Sequence, residues 1–417
     1  MKRILTAIFI VFSVNVFALH PISERDSSFQ NSINFSANYF FSSDAITNRF
    51  ALAYFNNEYI DNDKKDVVSK KLHSLNRLGI GLNSELKYTG LHKTIFGLSN
   101  SFYSVSLGNH YHINSIFRKD AFELYFRGNS AYRGKTAELG EFVYNQIIYQ
   151  NLKFTFGHTF SKGENNFGYT FGLGLNKGQK LYKILSEKAD LYSEDIGRHL
   201  DLDADIKIYQ SDSSKKELPH WNGTGGSVDF SIYRMDKNNN TLKIAAENFG
   251  FIKWNDKTAF VNADTSFRYS GIDVSDLFLF SDSIRETISL DSSLVEPYLS
   301  VREKKSYNTP LPARLSLSYL YILTPGKMDI EARVDYLFFA RSTLHESIAF
   351  SYNFNSIHRL SLITSYGGYS TFQAGLAYTA RFSKGWIFTL QSDYLSSMIN
   401  PGNGLAQGAF VSLTAYF

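Results

Sequence analysis

The chain contains no cysteine, so neither disulfide bonds nor thiolate metal sites are available to it. Beyond an N-terminal apolar run, no stretch of about 18 consecutive apolar residues occurs, and the sequence therefore predicts no membrane-spanning helix. Strong charge of one sign is also lacking. The net charge of +4 falls to +2 when Lys2 and Arg3 are set aside, which argues against nucleic acid as a partner.

The N-terminus has the pattern of a secretory signal peptide. Lys2 and Arg3 precede an apolar run from Ile4 to about Phe17, and small Ala18 follows. The run is too short to be a spanning helix. We therefore predict that residues 1–18 are a signal peptide and that residues 19–417 form a single exported domain.

Aromatic residues are abundant, at 16% of the chain with 27 Tyr and 36 Phe. Inside a lipid bilayer every backbone polar group must be hydrogen-bonded, and without spanning helices only a closed β-barrel achieves this. Only every second residue of a barrel strand faces lipid, so a barrel needs many aromatic side chains but no long apolar run. The composition therefore favours a transmembrane barrel.

The last segment, Leu405 to Phe417, alternates between two faces. Its first face is wholly apolar and comprises Ala409, Val411, Leu413, Ala415 and Phe417. An apolar strand that ends on phenylalanine resembles the closing strand of bacterial outer-membrane barrels, where it is the assembly signal. The resemblance implies the outer membrane of a Gram-negative cell, contact with outer-membrane lipid, and recognition of Phe417 by the barrel-assembly machinery.

Strand patterns recur along the chain. Bulky residues from Leu152 to Phe160 alternate with polar ones, and from Phe167 to Leu175 they alternate mainly with glycines. From Arg314 to the end the alternation is nearly unbroken, with turn residues between segments. The predicted fold is all-β: a transmembrane antiparallel up-and-down β-barrel with an even number of roughly 14–18 strands.

Other segments have weaker patterns. The segments 48–55 and 122–126 also alternate and are predicted as strands, whereas the charged segment 60–74 is predicted to be a solvated loop. Short helices are predicted near 185–196 and within 276–288.

Three segments resemble a family of outer-membrane barrels of unknown function, typical of the Bacteroidota and loosely akin to long-chain fatty acid transporter-like barrels. They are LYFRGNSAYRGK (124–135), ENFGFIKWN (247–255) and SYNTPLPARLSLSYLY (306–321). The resemblance covers most of the chain after the signal peptide. It implies location and fold, and it brings no catalytic residues.

The densest charge pattern on a predicted strand is a ladder on one face. Its members are Asp329, Glu331, Arg333 and Asp335, and the candidate basic partners on other strands are Arg314 and Arg381. The ladder is either an ion-pair network that holds the interior together or part of a polar pathway. Its proposed site residues are Asp329, Glu331, Arg333, Asp335 and Arg381.

Histidines supply no clear chemistry. His110 and His112 share one strand face, but a metal site needs a third ligand that the sequence does not identify. His158 lies on the face predicted to meet lipid, and no serine–histidine pair stands out for nucleophilic catalysis. We therefore predict neither an enzyme nor a cofactor-binding protein.

The sequence predicts a passive channel or transporter for small or hydrophobic molecules. The alternative is a structural or docking barrel that works with a secretion or surface-attachment machinery. An open interior would favour the first function, and an interior filled by side chains and loops would favour the second.

Overall fold

Alternating apolar and polar positions form long antiparallel strands that close into a barrel. The computed structural model describes residues 31–212, 220–269, 301–339, 344–382 and 385–417. The predicted signal peptide and the helix predicted within 276–288 lie outside these residues. Among the described residues, no helix is long and apolar enough to cross a membrane.

The strands belong to one 19-stranded sheet. They are β1 (Asn31–Ser43), β2 (Leu75–Ile95), β3 (Leu98–Arg118), β4 (Lys135–Glu138), β5 (Phe142–Lys162), β6 (Asn165–Ser193), β7 (Leu200–Gln210), β8 (Gly223–Met235), β9 (Thr241–Trp254), β10 (Ala259–Tyr269), β11 (Val301–Lys304), β12 (Tyr307–Pro310), β13 (Ala313–Thr324), β14 (Met328–Phe338), β15 (His345–Asn353), β16 (His358–Gly367), β17 (Gln373–Phe382), β18 (Trp386–Ser392) and β19 (Ala406–Tyr416). The helices are α1 (Asn48–Phe55), α2 (Asn62–Ser69), α3 (Lys119–Arg127) and α4 (Leu395–Ile399), with a 3-10 turn at Asn129–Tyr132.

The wall of the barrel has 14 strands, which confirms the predicted fold and the even strand number. In order around the wall they are β1, β2, β3, β5, β6, β8, β9 and β13 to β19. The closing pair is β1 with β19, from Ser32 opposite Tyr416 to Ser42 opposite Ala406. Closure leaves the wall without an unpaired edge, as a strand structure in lipid requires.

The two faces of the wall differ in the way the sequence predicts. In β19, outward Leu413 is 40% exposed, whereas its inward neighbour Ser412 is 4% exposed. In β6, outward Phe171 and Leu173 are exposed, and glycines at the alternate positions are buried. Large apolar groups therefore cover the outside and polar or small groups fill the inside, which is the arrangement of a transmembrane barrel.

The two ends of the barrel are different. At one end, here called the turn end, short turns join consecutive wall strands, and the Asn31 amide donates to the Phe417 carbonyl at 2.9 Å. The opposite end, the loop end, carries α1 to α4 and the longer connections.

A second small sheet extends the wall at the loop end. Strand β6 is 29 residues long, and beyond its wall-forming part it pairs with β7 from Tyr182 to Ser193. Strand β10 pairs with β7, β11 with β10, and β4 with the end of β6. These strands, together with the 182–193 part of β6, are called the extension.

Four local predictions were wrong. The helix predicted near 185–196 is mostly the end of β6, because β7 supplies a strand partner that the sequence does not reveal. The segment 48–55 is helical instead of extended, since Thr47 Oγ1 accepts from the Phe50 amide at 3.3 Å and caps α1. The segment 122–126 lies within α3, and the predicted loop 60–74 contains α2, which Asp61 caps.

Candidate functional site in the barrel interior

The charge ladder of β14 lies on the inward face of the wall, where it forms ion pairs. Asp329 is bound by Arg359 of β16, with Nη2 to Oδ1 at 2.8 Å. Arg333 donates twice to Asp335, from Nε at 2.8 Å and from Nη2 at 2.7 Å. The Ser316 hydroxyl of β13 also donates to Asp335, at 2.6 Å.

The bonds described above are made by Arg359, Arg333 and Ser316, whereas the sequence proposed Arg314 and Arg381 as basic partners. Arg314 lies within electrostatic range of Asp335. Arg381 lies near the turn end of β17, where its backbone amide donates to the Ile357 carbonyl at 2.8 Å. The residue that sequence reasoning missed is Arg359, which binds Asp329 across the intervening strand β15. In the sequence, the only sign of this role was that Arg359 occupies an inward position in the alternation of β16.

Glu331 lies on the same ladder, and Lys243 links it electrostatically to another part of the interior. One carboxylate oxygen, Oε1, is buried and has no hydrogen-bond partner among the described residues. Lys243 of β9 lies within electrostatic range of Glu331 and also of Lys87 on β2. Several wall strands separate β2 from β9, so charged side chains reach toward each other across the barrel.

A second charged group lies at an irregularity of the wall between β8 and β9. The register shifts between Val228 and Phe230, and Asn248 takes the left-handed conformation with φ 57°. The Asn248 amide donates to Asp229 Oδ1 at 2.6 Å, and its side-chain oxygen accepts from Lys153 Nζ at 3.1 Å. Lys153 also forms an ion pair with Asp229. Asparagine tolerates this backbone conformation better than most residues, which explains its place at the bulge.

The two inward histidines are held by amides and rings. His110 contacts the side-chain oxygens of Asn83 at 3.0 Å and Asn151 at 3.2 Å, through Nδ1 and Nε2 respectively. Its ring stacks on Tyr149 at 4.7 Å, and His112 meets the ring of Phe339. Both nitrogens of His110 are therefore engaged. Among the residues that the structure describes, no group of three or more His, Cys, Asp or Glu side chains could hold a metal ion.

An apolar cluster fills the interior toward the loop end and is called the mouth cluster. Its members are Ile147, Tyr149, Leu181, Ile252, Trp254, Leu311 and Phe339. Trp254 is fully buried, and its indole nitrogen donates to Thr309 Oγ1 at 2.7 Å. Gly178 makes room for the indole, since a Cβ there would lie 2.8 Å from the ring. Such a cluster is notable inside a barrel whose interior is otherwise mostly polar.

The mouth cluster is built where two of the resembling segments meet. Strand β12 pairs with β9 so that Thr309 lies opposite Ile252, and the Leu311 amide donates to the Gly250 carbonyl at 3.0 Å. Further along, Arg314 lies opposite Glu247. The sequence did not predict that these two segments pair, because residues 255–306 separate them along the chain.

Unpartnered polar atoms lie on the inner wall below the mouth cluster. The Tyr149 hydroxyl, both amide atoms of Asn176 and the Ser227 hydroxyl are buried without a hydrogen-bond partner among the described residues. Asn176 lies opposite Asn151, two residues from Tyr149 on β5. Buried polar atoms without partners are costly, so this patch can accept a polar group of a molecule in the interior.

One serine–histidine contact exists that the sequence analysis did not find. Ser101 Oγ lies 3.3 Å from His158 Nδ1 near the turn end of the wall. The same hydroxyl donates to the Leu98 carbonyl at 3.0 Å, and the His158 ring packs against Phe160 and Tyr169. Within the described residues, no hydrogen bond joins His158 to a carboxylate, so the pair lacks the third group of a catalytic triad.

Comparison with known proteins identifies the family. Residues 21–390 match the family described as "Family of unknown function (DUF5723)". The chain belongs to this family. Membership confirms the resemblance to a family of unknown function that the three segments indicated. No curated protein matches the chain.

Several solved barrels are similar to this member of the family. A deltaS2S3 mutant of the TodX monoaromatic hydrocarbon channel has a TM-score of 0.49 and 9% identity, covering 94% of this chain and 91% of its own. The Pseudomonas putida toluene transporter TodX has a TM-score of 0.42 and 8% identity, covering 95% and 89%. A Pseudomonas aeruginosa FadL homologue has a TM-score of 0.41 and 9% identity, covering 93% and 90%.

Proposed function

We propose that this barrel is an outer-membrane channel through which small or hydrophobic molecules cross passively. The observation that carries the proposal is the mouth cluster, a set of buried apolar side chains at the loop end of an interior whose remaining wall is mostly polar and charged, so that a molecule passes only when these side chains move aside. A transmembrane barrel that transports nothing does not need an apolar cluster inside, since polar side chains alone can fill its interior.

The mouth cluster would select against hydrated ions. An apolar cluster excludes them because an ion must lose its water to pass, and the cluster offers too few polar atoms to replace that water. An apolar molecule can instead exchange contacts with Tyr149, Trp254 and Phe339. Beneath them, the unpartnered atoms of Asn176 and Ser227 supply donors and acceptors for a polar end of the molecule. The arrangement favours small apolar or amphipathic cargo.

Two neighbouring phenylalanines allow a matched test. Phe339 is 4% exposed and belongs to the mouth cluster, whereas Phe338 is 44% exposed on the outside, against Phe249 and Tyr336. In proteoliposomes, Phe339→Ala should raise ion leakage and weaken the preference for apolar solutes. Phe338→Ala should leave both unchanged. Equal effects of the two substitutions on leakage would contradict the role of the mouth cluster.

The alternative function, a docking barrel for a secretion or surface-attachment machinery, is favoured by the interior that the mouth cluster fills at the loop end, and also by the extension. Its strands project beyond the wall and expose Ile196 at their turn. A photo-crosslinker at Ile196 should then capture one defined protein in intact cells, while the purified barrel passes neither ions nor apolar solutes. Measurable flux of an apolar solute without such an adduct would reject this alternative.

The cellular location is part of the same proposal. A closed barrel with an apolar outer surface needs a membrane, and the terminal Phe417 and the signal-like N-terminus support export to a Gram-negative outer membrane. Fractionation should recover the protein with outer-membrane markers and with heat-modifiable gel mobility. Recovery in the soluble fraction would contradict the location.

A further inference from the structure

Three helices form a layer on the outside of the barrel at the loop end. Helices α1, α2 and α3, here called the collar, pack against β1, β2 and β3 through a buried apolar cluster. The collar contributes Phe50, Ala51, Val68 and Phe122, and the wall contributes Phe41. Phe41 has the outward parity of Ile33 and Phe35, and partly buried Leu78, Ile80 and Phe117 of the neighbouring strands pack against the same cluster.

The collar is held in place by hydrogen bonds and ion pairs. Asn48 at the start of α1 is buried, and its amide donates to the carbonyls of Ser397 at 3.0 Å and Ala406 at 2.7 Å. Arg127 at the end of α3 donates to Asp66 of α2 at 2.7 Å and to Ser69 at 2.9 Å. The surface of the collar is therefore a fixed part of the fold.

Helices α1 and α3 of the collar expose large apolar side chains although their inner sides are already buried. In α1, Phe50, Ala51 and Ala53 face the wall, whereas Leu52, Tyr54 and Phe55 are exposed. Phe55 is 48% exposed, and Tyr125 of α3 is 68% exposed. A surface helix in water shows polar residues on its outer side, so a helix that is apolar on both sides has an apolar environment on both.

This exposed surface continues the lipid-facing wall. The ring of Phe55 meets the ring of Phe41 edge to face at 6.5 Å. Phe41 lies ten positions beyond Asn31 at the turn end. At ~3.3 Å per residue and a tilt of about 40°, this is about 25 Å, the height of the apolar band of a barrel. Phe55 therefore lies where the apolar band ends.

We propose that the collar is an interfacial anchor, whose exposed aromatic side chains insert into the lipid leaflet at the loop end. Tyrosines are favoured at this depth because the ring lies among acyl chains while the hydroxyl reaches the head groups. The rings of Tyr54 and Tyr125 both meet the ring of Phe126, so the two tyrosines form one aromatic surface. The occupant is lipid because the surface is continuous with the apolar wall.

The absence of cysteine makes depth measurement direct. In phosphatidylcholine vesicles, the environment-sensitive fluorophore NBD attached to Phe55→Cys should emit to the blue and be quenched by lipids carrying a shallow doxyl group. Aqueous iodide should quench it weakly. Two controls bracket the result: Leu107→Cys on the lipid-facing wall and Ile196→Cys at the tip of the extension, both exposed.

Two outcomes would overturn the proposal. Strong iodide quenching at Phe55→Cys, equal to that at Ile196→Cys, would place the collar in water. Protection from both iodide and doxyl lipid would mean that a second copy or another protein covers it. Since Phe55 is half exposed, its replacement should leave heat-modifiable mobility unchanged, and that gel shift checks that each labelled variant is folded.

Discussion

The sharpest test of the wall concerns single arginines placed on its outward face. Leu173 of β6 is exposed, lies between outward Phe171 and Leu175, and faces Phe154 and Val228 on the adjacent strands. None of these neighbours carries a charge. An arginine at Leu173 therefore has no ionic partner and must reach the head groups or thin the bilayer.

Val334 of β14 gives the matched case. It also points outward, but it lies directly opposite Glu346 of β15, and both residues line a groove on the outer wall. Arginine near the bilayer centre costs roughly 2–4 kcal/mol. We expect that full cost for Leu173→Arg. At Val334 the carboxylate of Glu346 should offset part of it, through a coupling of about 0.5–3 kcal/mol.

The assay is reversible denaturant unfolding in lipid vesicles, followed by tryptophan fluorescence. Val334→Arg should be less destabilising than Leu173→Arg, and the difference should disappear when Glu346→Gln is added. A double-mutant cycle gives the coupling directly. If Leu173→Arg does not lower the unfolding free energy, the outward face was assigned wrongly. The same conclusion follows if the cost of Val334→Arg does not change when Glu346→Gln is added.

Four further outcomes are expected. Arg333→Ala removes two charged hydrogen bonds from Asp335, which keeps the Ser316 hydroxyl, and should lower the unfolding free energy by about 1.5–3 kcal/mol, whereas altered flux at unchanged stability would indicate a pathway instead. The bond from Arg268 lowers the pKa of Asp201 in the extension, so its stabilising contribution is present above the ordinary carboxylate pKa and lost as the pH falls through the lowered one. The protection factors of the β7 amides, which correct for the intrinsic pH dependence of exchange, should therefore fall in acid, and unchanged protection would contradict this. A maleimide should label Asn308→Cys in intact cells, and labelling only after permeabilisation would reverse the orientation. Deleting Phe417 should reduce assembled barrel, and unchanged assembly would remove its role as signal.

Much of the wall could be predicted because alternation is a local signal. From Phe167 to Leu175, bulky groups and glycines alternate so regularly that the outward face was clear before any neighbour was known. The same rule failed at 48–55, where a short apolar segment alternates but Thr47 caps a helix. A few alternating residues cannot separate strand from helix when the helix is buried on one side and apolar on the other.

The interior could be predicted only in part, because its contacts join distant strands. The ladder from Asp329 to Asp335 could be predicted because all its members lie on one strand. The alternation of that strand also predicts that they point inward. Its partner Arg359 depends on the pairing of β14, β15 and β16 and on a diagonal reach across β15. The mouth cluster needs the pairing of β9 with β12, which no local pattern encodes.

The central claim is that the mouth cluster admits apolar molecules and holds back ions. The most direct test is solute exchange in liposomes that contain the purified, unaltered protein. An apolar solute should equilibrate faster than in protein-free liposomes, while ion conductance should stay near the protein-free level. Free ion conductance, or no acceleration of the apolar solute, would contradict it.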